Sequence, residues 1–140
     1  VEKVKNVAKT AEITSDIKKF PKGYKTTVGE RGVQLSGGQR QRIAIARAIY
    51  KNPSIYIFDD CLSAVDSNKE QKILTNLKKE TNKATTIIIS HRISAIQNAD
   101  LILVLENGKI IEKGKHKSLL ENGDFYYKIF EKQNKKEHQK

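Results

Sequence analysis

Two short segments of this chain carry residue types that suit a nucleotide phosphate. The Ser-Gly-Gly tripeptide at residues 36–38 precedes an amphipathic stretch and therefore opens a predicted helix. Such a start leaves backbone N–H groups bare and adds a hydroxyl, so an anion can approach the main chain closely. The second segment is Asp59-Asp60, directly after the apolar run 55–58. The glycine-rich loop ending in Gly-Lys-Ser or Gly-Lys-Thr, which would hold a whole nucleotide, does not occur in this sequence.

The elements that position these segments follow from the spacing of apolar residues. The predicted helices are two short ones within 1–20, one from about Gly37 to just before Asn52, one at 67–80, one at 93–99, and a terminal helical region whose apolar face includes Leu119, Tyr126 and Phe130. The predicted strands are 55–58, 85–90, 100–105 and 109–112, the last two joined by a hairpin turn at Asn107-Gly108.

The first two strands are short, uninterrupted and rich in residues that favour strands, so we expect them to be buried and parallel. Their alternation with helices predicts an α/β fold. In such a fold, ligands bind beyond the carboxyl ends of the strands. His91 lies there, just after the strand at 85–90, as Asp59 and Asp60 do after the first strand.

Length and composition predict one globular unit. The chain has 140 residues and 37% apolar content, and its longest apolar runs fall far short of the roughly 20 residues that a membrane span needs. No signal peptide precedes them. The single cysteine, Cys61, fits a reducing compartment and a small buried position beside the acidic run. The chain begins at Val1 and has no methionine, and with the missing phosphate loop this favours a fragment.

The formal charge of +11 raises the possibility of nucleic-acid binding, because basic proteins release counterions from phosphates. The basic residues are spread from Lys3 to Lys140, however, and no aromatic-rich segment offers stacking platforms for bases. We therefore predict a solvated lysine-rich surface and no specific nucleic-acid partner.

Four motifs in fixed order carry a family resemblance. Leu-Ser-Gly-Gly-Gln at 35–39, Ile-Phe-Asp-Asp at 57–60, Ser-Ala-Val-Asp at 63–66 and His91 resemble the signature motif, Walker B strand, D-loop and switch histidine of ATP-binding cassette (ABC) proteins. The resemblance extends over about 1–133 and corresponds to the C-terminal portion of a nucleotide-binding domain.

This resemblance implies a partial P-loop NTPase-type ABC ATPase domain that lacks the Walker A region. It implies a helical subdomain portion at 1–52, the C-terminal part of the ATPase core at 53–133, and a charged, frayed tail at 134–140. The cofactors implied are ATP and Mg²⁺. The fragment alone is expected to be inactive, because nothing in it cradles the α- and β-phosphates.

The segment before the signature motif narrows the subclass. Gly29, Glu30 and Arg31 lie in a stretch that resembles the X-loop of exporters, which in that family contacts the coupling helices of the transmembrane domains. The resemblance therefore implies a multidrug, peptide or lipid exporter, with this chain at the cytoplasmic face of a membrane.

The resemblance also implies roles for single residues. Contact with the γ-phosphate of ATP, held by a second nucleotide-binding domain in a head-to-tail dimer, is expected of Ser36, Gly37, Gly38 and Gln39. Orientation of Mg²⁺ is expected of Asp59, and catalysis is expected of Asp60 and His91. Contact across the dimer is expected of the D-loop residues Ser63, Ala64 and Asp66.

Asp60 departs from the family pattern, since most members have glutamate at this position to polarise the attacking water. The aspartate side chain is shorter by about 1.5 Å, and aspartate occurs there in the degenerate sites of heterodimeric exporters. A non-hydrolysing regulatory half and a non-transport cassette that acts on nucleic acid or ribosomes are the alternatives. The X-loop resemblance and the lack of a coiled-coil insertion argue against the second.

Overall fold

The computed structural model describes the backbone of residues 1–137 and the side chains of residues 1–135, so residues 138–140 of the predicted tail lie outside the described part. A single turn of 3₁₀ helix occurs at Gly23–Lys25. The α-helices and strands of the described part are α1 (Glu2–Thr10), α2 (Thr14–Ile17), α3 (Gly37–Lys51), β1 (Ile55–Asp59), α4 (Ser67–Glu80), β2 (Thr85–Ile89), α5 (Ile93–Ile96), β3 (Ile102–Glu106), β4 (Lys109–Gly114), α6 (His116–Asn122) and α7 (Phe125–Glu137).

Each predicted helix and strand is present, with shifts of a few residues at some ends. The chain nevertheless divides into two compact units, Val1–Ile89 and a second unit that begins at Ser90, where the length predicted one. The reason is that each unit has its own two-stranded sheet and its own apolar core. The predicted boundary between 52 and 53 concerns family subdomains and stays a prediction.

The first unit is built on the parallel pair β1 and β2, in which Ile57 lies opposite Ile87. Helices α1, α3 and α4 contribute buried residues to a core with the inward side chains of β1. Tyr56 and Phe58 are those side chains, and their rings stack with centroids 5.8 Å apart.

The two strands are parallel as predicted, but the prediction that they are buried is wrong for one face of the sheet. Residues of the first sheet alternate between buried or half-buried and exposed, and Ile55 and Ile57 are 59% and 65% exposed. Ile87 and Ile89 on β2 are exposed as well. The described helices of this unit cover one face of the sheet, so the isoleucines of the other face remain in solvent. An uninterrupted apolar run does not show which elements cover it.

The second unit contains the antiparallel pair β3 and β4, joined by the predicted turn. Asn107 and Gly108 both have positive φ, 49° and 74°, which is the conformation that a two-residue hairpin of this kind requires. The core of this unit includes Ile102, Leu119 and Tyr126. Within the described residues, no helix of either unit is both long and apolar enough to cross a bilayer.

Candidate functional site

Helix α3 begins with an N-terminus that is organised by a capping box. Ser36 Oγ accepts a hydrogen bond from the Gln39 N–H at 3.2 Å, and Gln39 Oε1 accepts one from the Ser36 N–H at 3.0 Å. In the described part of the chain, the N–H groups of Gly37 and Gly38 donate no hydrogen bond. These two N–H groups, the Ser36 hydroxyl proton and the positive end of the helix dipole are therefore available to an anion.

The two glycines also allow a close contact inside the first unit. A Cβ atom on Gly38 would lie 2.7 Å from the carbonyl oxygen of Ala64, and one on Gly37 would lie 3.3 Å from the Ala64 Cβ. The sequence indicated only one reason for these two glycines, which is that an anion can approach the main chain closely there. The structure adds a second reason for them, because the segment 63–66 packs directly on the start of α3.

Gln41 joins these two segments to the end of β1, and sequence reasoning missed it. Its Nε2 donates to the Asp60 carbonyl oxygen at 3.2 Å and to Ser63 Oγ at 2.9 Å, while its Oε1 accepts from the Ala64 N–H at 2.9 Å. The only signal in the sequence is a polar residue at a half-buried position of an amphipathic helix. One side-chain amide thus connects α3 with the backbone that follows Asp59.

The other side of α3 is held by α2. Gln39 Nε2 donates to Asp16 Oδ1 at 2.9 Å, and the buried Arg42 donates from Nη2 to Asp16 Oδ2 at 3.0 Å. A buried guanidinium requires such a partner, because an unpaired charge in the protein interior is costly. Both ends of the Gln39 amide are therefore engaged within this unit, and its predicted contact with nucleotide stays a prediction.

The two aspartates lie at the carboxyl end of β1 with exposed side chains. The Asp60 backbone is left-handed, with φ of 45°, a conformation that aspartate tolerates better than most residues. Its N–H donates to the Ile89 carbonyl at 2.9 Å, which keeps the ends of the two strands together. Both carboxylates are thus presented from a backbone that is fixed by the sheet.

The donor chemistry at Asp59 fits Mg²⁺. This ion is commonly held by one or two carboxylates together with water and phosphate oxygens, without a cage of protein ligands. Among the described residues, no group of three or more histidine, cysteine or acidic side chains could enclose a metal ion. An exposed strand-end carboxylate is the kind of ligand that this coordination requires.

Two neighbouring residues have structural roles. Cys61 is half-buried, and burial raises the pKa of its thiol to about 11, so the thiol is neutral at physiological pH. Asp66 is the N-cap of α4. The Lys69 N–H and then the Lys69 ammonium, each 3.0 Å from an Asp66 carboxylate oxygen, hold the pKa of this carboxyl below its ordinary value. The predicted roles of Ser63, Ala64 and Asp66 in contact across a dimer stay predictions.

The segment 27–33 forms a tight loop. Val33 N–H donates to the Thr27 carbonyl at 3.0 Å, and Gly29, with φ of 114°, donates to the Val33 carbonyl at 3.2 Å. The side chains of Glu30 and Arg31 are exposed on this loop. The loop presents two opposite charges from a closed backbone, and its predicted contact with transmembrane domains stays a prediction.

His91 belongs to the second unit, and its imidazole is exposed. The loop around it is held by Gln133 of α7, whose Nε2 donates to the His91 carbonyl at 2.7 Å and whose Oε1 accepts from the Ile93 N–H at 3.0 Å. Ser90 Oγ accepts from the Arg92 N–H at 3.0 Å. Sequence reasoning missed Gln133, because nothing local links it to a histidine 42 residues earlier.

Parallel strands, a glycine-opened helix and strand-end carboxylates define part of an α/β ATPase domain of the P-loop NTPase class. A family model described as "ABC transporter" matches residues 1–63. The chain is therefore similar to a portion of the nucleotide-binding domain of ABC exporters.

Relatives extend this match over most of the chain. It is 55% identical over 126 residues to ABC transporter B family member 4 of Dictyostelium discoideum, covering 90% of this chain and 16% of that protein. It is 51% identical over 133 residues to the uncharacterized ABC transporter ATP-binding protein YknU of Bacillus subtilis, covering 95% and 23%.

A solved structure shows the same fold. The structure of a bacterial Atm1-family ABC exporter with ATP bound matches with a TM-score of 0.87 and 45% identity, covering 94% of this chain and 23% of the exporter chain. The chain thus spans less than a quarter of the length of each of these proteins.

Proposed function

We propose that this chain is part of the ATPase engine of an ABC exporter, which couples hydrolysis of Mg-ATP to movement of a substrate across a membrane. The observation that carries the proposal is the start of α3. Its two N–H groups without partners in the described part of the chain are packed on the segment 63–66, which follows the strand-end carboxylates Asp59 and Asp60. A phosphate-binding helix start and a pair of catalytic carboxylates are thus linked within one unit.

The start of α3 contacts ATP that is bound on a second nucleotide-binding domain. Gly37 and Gly38 contribute N–H donors and Ser36 contributes its hydroxyl to the γ-phosphate, while the helix dipole adds about half a positive charge. The site is therefore complete only in a head-to-tail dimer. The similar Atm1-family exporter was solved with ATP bound, which supports ATP as the nucleotide.

The residues at the carboxyl end of β1 act on ATP that is held by the chain's own nucleotide-binding domain. Asp59 is the residue that would hold Mg²⁺, which when bound neutralises charge on the phosphate oxygens. The Asp60 carboxylate accepts a proton from the attacking water, and the His91 imidazole donates a hydrogen bond to the γ-phosphate. Because Asp60 is one methylene shorter than the glutamate usual in the family, we propose that this site hydrolyses ATP slowly and forms the degenerate half of an asymmetric pair.

Two exposed surfaces support a place within a larger transporter. The isoleucine face of the first sheet, formed by Ile55, Ile57, Ile87 and Ile89, is suited to pack against the remainder of the ATPase domain. The closed loop with Glu30 and Arg31 is suited to contact the coupling helices of transmembrane domains at the cytoplasmic face of the membrane.

ATP hydrolysis by the full-length protein, measured with and without the substitution Asp59→Asn, tests the proposal. We expect Mg²⁺-dependent turnover at the site that contains Asp59, measured with the other composite site inactivated, to fall about a hundredfold or more in the variant, because a misplaced metal and phosphate lose that much rate. Asp100→Asn, at another exposed acidic residue, is the matched control and should retain wild-type turnover.

Three results would count against the proposal. A full-length protein without Mg²⁺-dependent ATPase activity would overturn it, and equal turnover of the two variants would remove Asp59 from the site. Stimulation of turnover by nucleic acid, with no effect of membrane reconstitution, would favour the non-transport alternative. The isolated 140-residue chain should show no ATPase activity.

A further inference from the structure

Gln133 lies at the centre of an arrangement that the ATPase assignment does not use. Its side-chain amide bonds to the backbone on both sides of Arg92, at the His91 carbonyl and at the Ile93 N–H. We propose that Gln133 is a positioning residue for His91 and that α7 thereby controls the rate of ATP hydrolysis. This inference rests on the proposed function, because it assumes that His91 acts on the γ-phosphate.

The donor and acceptor groups of the loop define the orientation of the Gln133 carboxamide. A carboxamide has one acceptor end and one donor end, and the loop offers one carbonyl and one N–H. The Gln133 NH₂ group must therefore face the His91 carbonyl, 2.7 Å away, and its oxygen must face the Ile93 N–H, 3.0 Å away. Neither a carboxylate nor an apolar side chain can make both bonds.

The backbone decides where the imidazole of His91 lies. This side chain is exposed, so no surrounding core packing directs it, and its place follows from the loop that carries it. The Ser90 hydroxyl bonds to the Arg92 N–H on one side of the loop, and Gln133 bonds on the other. A displacement of about 1 Å at a catalytic group costs on the order of a hundredfold in rate.

Helix α7 is itself anchored in the second unit, so it can transmit its position to the loop. The Tyr126 N–H donates to Glu112 Oε2 at 2.8 Å, and the Tyr126 side chain is only 2% exposed. Ile129 and Phe130 pack against the same core. Anything that shifts α7 on this core moves Gln133, and with it the peptide of His91.

The experiment uses the full-length protein with Gln133→Met, which keeps the length of the side chain and removes both hydrogen bonds. We expect kcat for ATP hydrolysis at the site that contains His91, measured with the other composite site inactivated, to fall about tenfold, with KM for ATP changed by less than about twofold, because His91 acts in the transition state. Lys132→Met places the same side chain at the exposed neighbouring position of α7 and should keep the wild-type kcat.

Hydrogen exchange on the same proteins separates positioning from loss of structure. In Gln133→Met, the Ile93 amide should exchange at least about tenfold faster while the α7 amides exchange as in the wild type. If the α7 amides accelerate too, Gln133→Glu decides: it still accepts from Ile93 but, as a carboxylate, cannot donate to the His91 carbonyl. If Gln133 positions His91, the Gln133→Glu protein must have a lower kcat than the wild type while its α7 amides exchange at the wild-type rate.

Failure of the proposed function and failure of the positioning role of Gln133 give different results. A wild-type protein without ATPase activity overturns the proposed function, while slower Ile93 exchange in the wild type than in Gln133→Met still supports the contact. A wild-type protein that hydrolyses ATP with the same kcat as Gln133→Met and Gln133→Glu overturns the positioning role. A drop in kcat that Lys132→Met shares also overturns it.

Discussion

The start of α3 and the end of β1 present chemistry in two different ways. At the helix start the available groups belong mainly to the main chain, and the helix is held by Asp16 on one side and by contact with Ala64 on the other. At the strand end the available groups are the exposed carboxylates of Asp59 and Asp60, carried by a backbone that Ile89 holds.

This difference shows which function a single substitution can weaken. Main-chain N–H groups keep their positions as long as the packing around them is intact, so the donors of the helix start do not depend on the reach of a side chain. A carboxylate reaches only as far as its methylene groups allow. Under the proposed function, the chain therefore retains a sound helix start for a partner domain, while one missing methylene at Asp60 weakens hydrolysis at its own site.

The largest effect is expected from Gly38→Ala. The new methyl group would lie 2.7 Å from the Ala64 carbonyl oxygen, so α3 and the segment 63–66 must move apart. We expect ATP hydrolysis by the full-length protein to fall about a hundredfold, because donors at the helix start shift by about 1 Å. Turnover measured at saturating ATP checks this prediction.

Gly37→Ala is the matched comparison for that experiment. Its methyl group would meet the Ala64 Cβ at 3.3 Å, a distance that a few tenths of an ångström of movement relieves. The loss should therefore be much smaller than for Gly38→Ala. Equal losses for the two variants would show that contact with Ala64 does not set the position of the helix start.

A smaller effect is expected from Gln41→Met, which removes the side-chain connection between the helix start and the strand end. The Ala64 N–H and the Asp60 carbonyl lose this partner, and we expect about 1–2 kcal/mol lower free energy of unfolding and about tenfold lower turnover. Chemical denaturation and steady-state ATPase measurement on the same preparation give the two quantities.

Arg47→Met, at an exposed position of the same helix, is the control for Gln41→Met. It should leave both stability and turnover within experimental error of the wild type. If Gln41→Met lowers stability without lowering turnover, the connection is structural and the two ends of the site function independently.

Local features of this molecule could be predicted from its sequence. The helix start at Gly37 and the hairpin turn at Asn107 were predicted because their chemistry lies within three or four residues. The motif order also indicated the family, which the relatives confirm. In each case the interacting residues are neighbours in sequence, or their order along the chain is itself the signal.

Distant contacts could not be predicted in the same way. Gln41 and Gln133 reach partners up to 23 and 42 residues away, and a glutamine on a helix has no local pattern that names its partner. The packing of Gly38 on Ala64 depends on how a loop returns to a helix. The prediction of buried strands was wrong for the same reason, since Ile57 is covered only if another element reaches it.

The substitution Asp60→Glu tests the contrast between the two regions most directly. In the full-length protein, the longer side chain should bring the carboxylate within reach of the attacking water, and turnover of this site at saturating ATP, measured with the other composite site inactivated, should rise roughly tenfold or more. Thermal unfolding of the same protein checks that the left-handed backbone at this position still holds a glutamate. Unchanged or lower turnover in a folded Asp60→Glu protein would contradict the account, because the length of this side chain would then not limit hydrolysis.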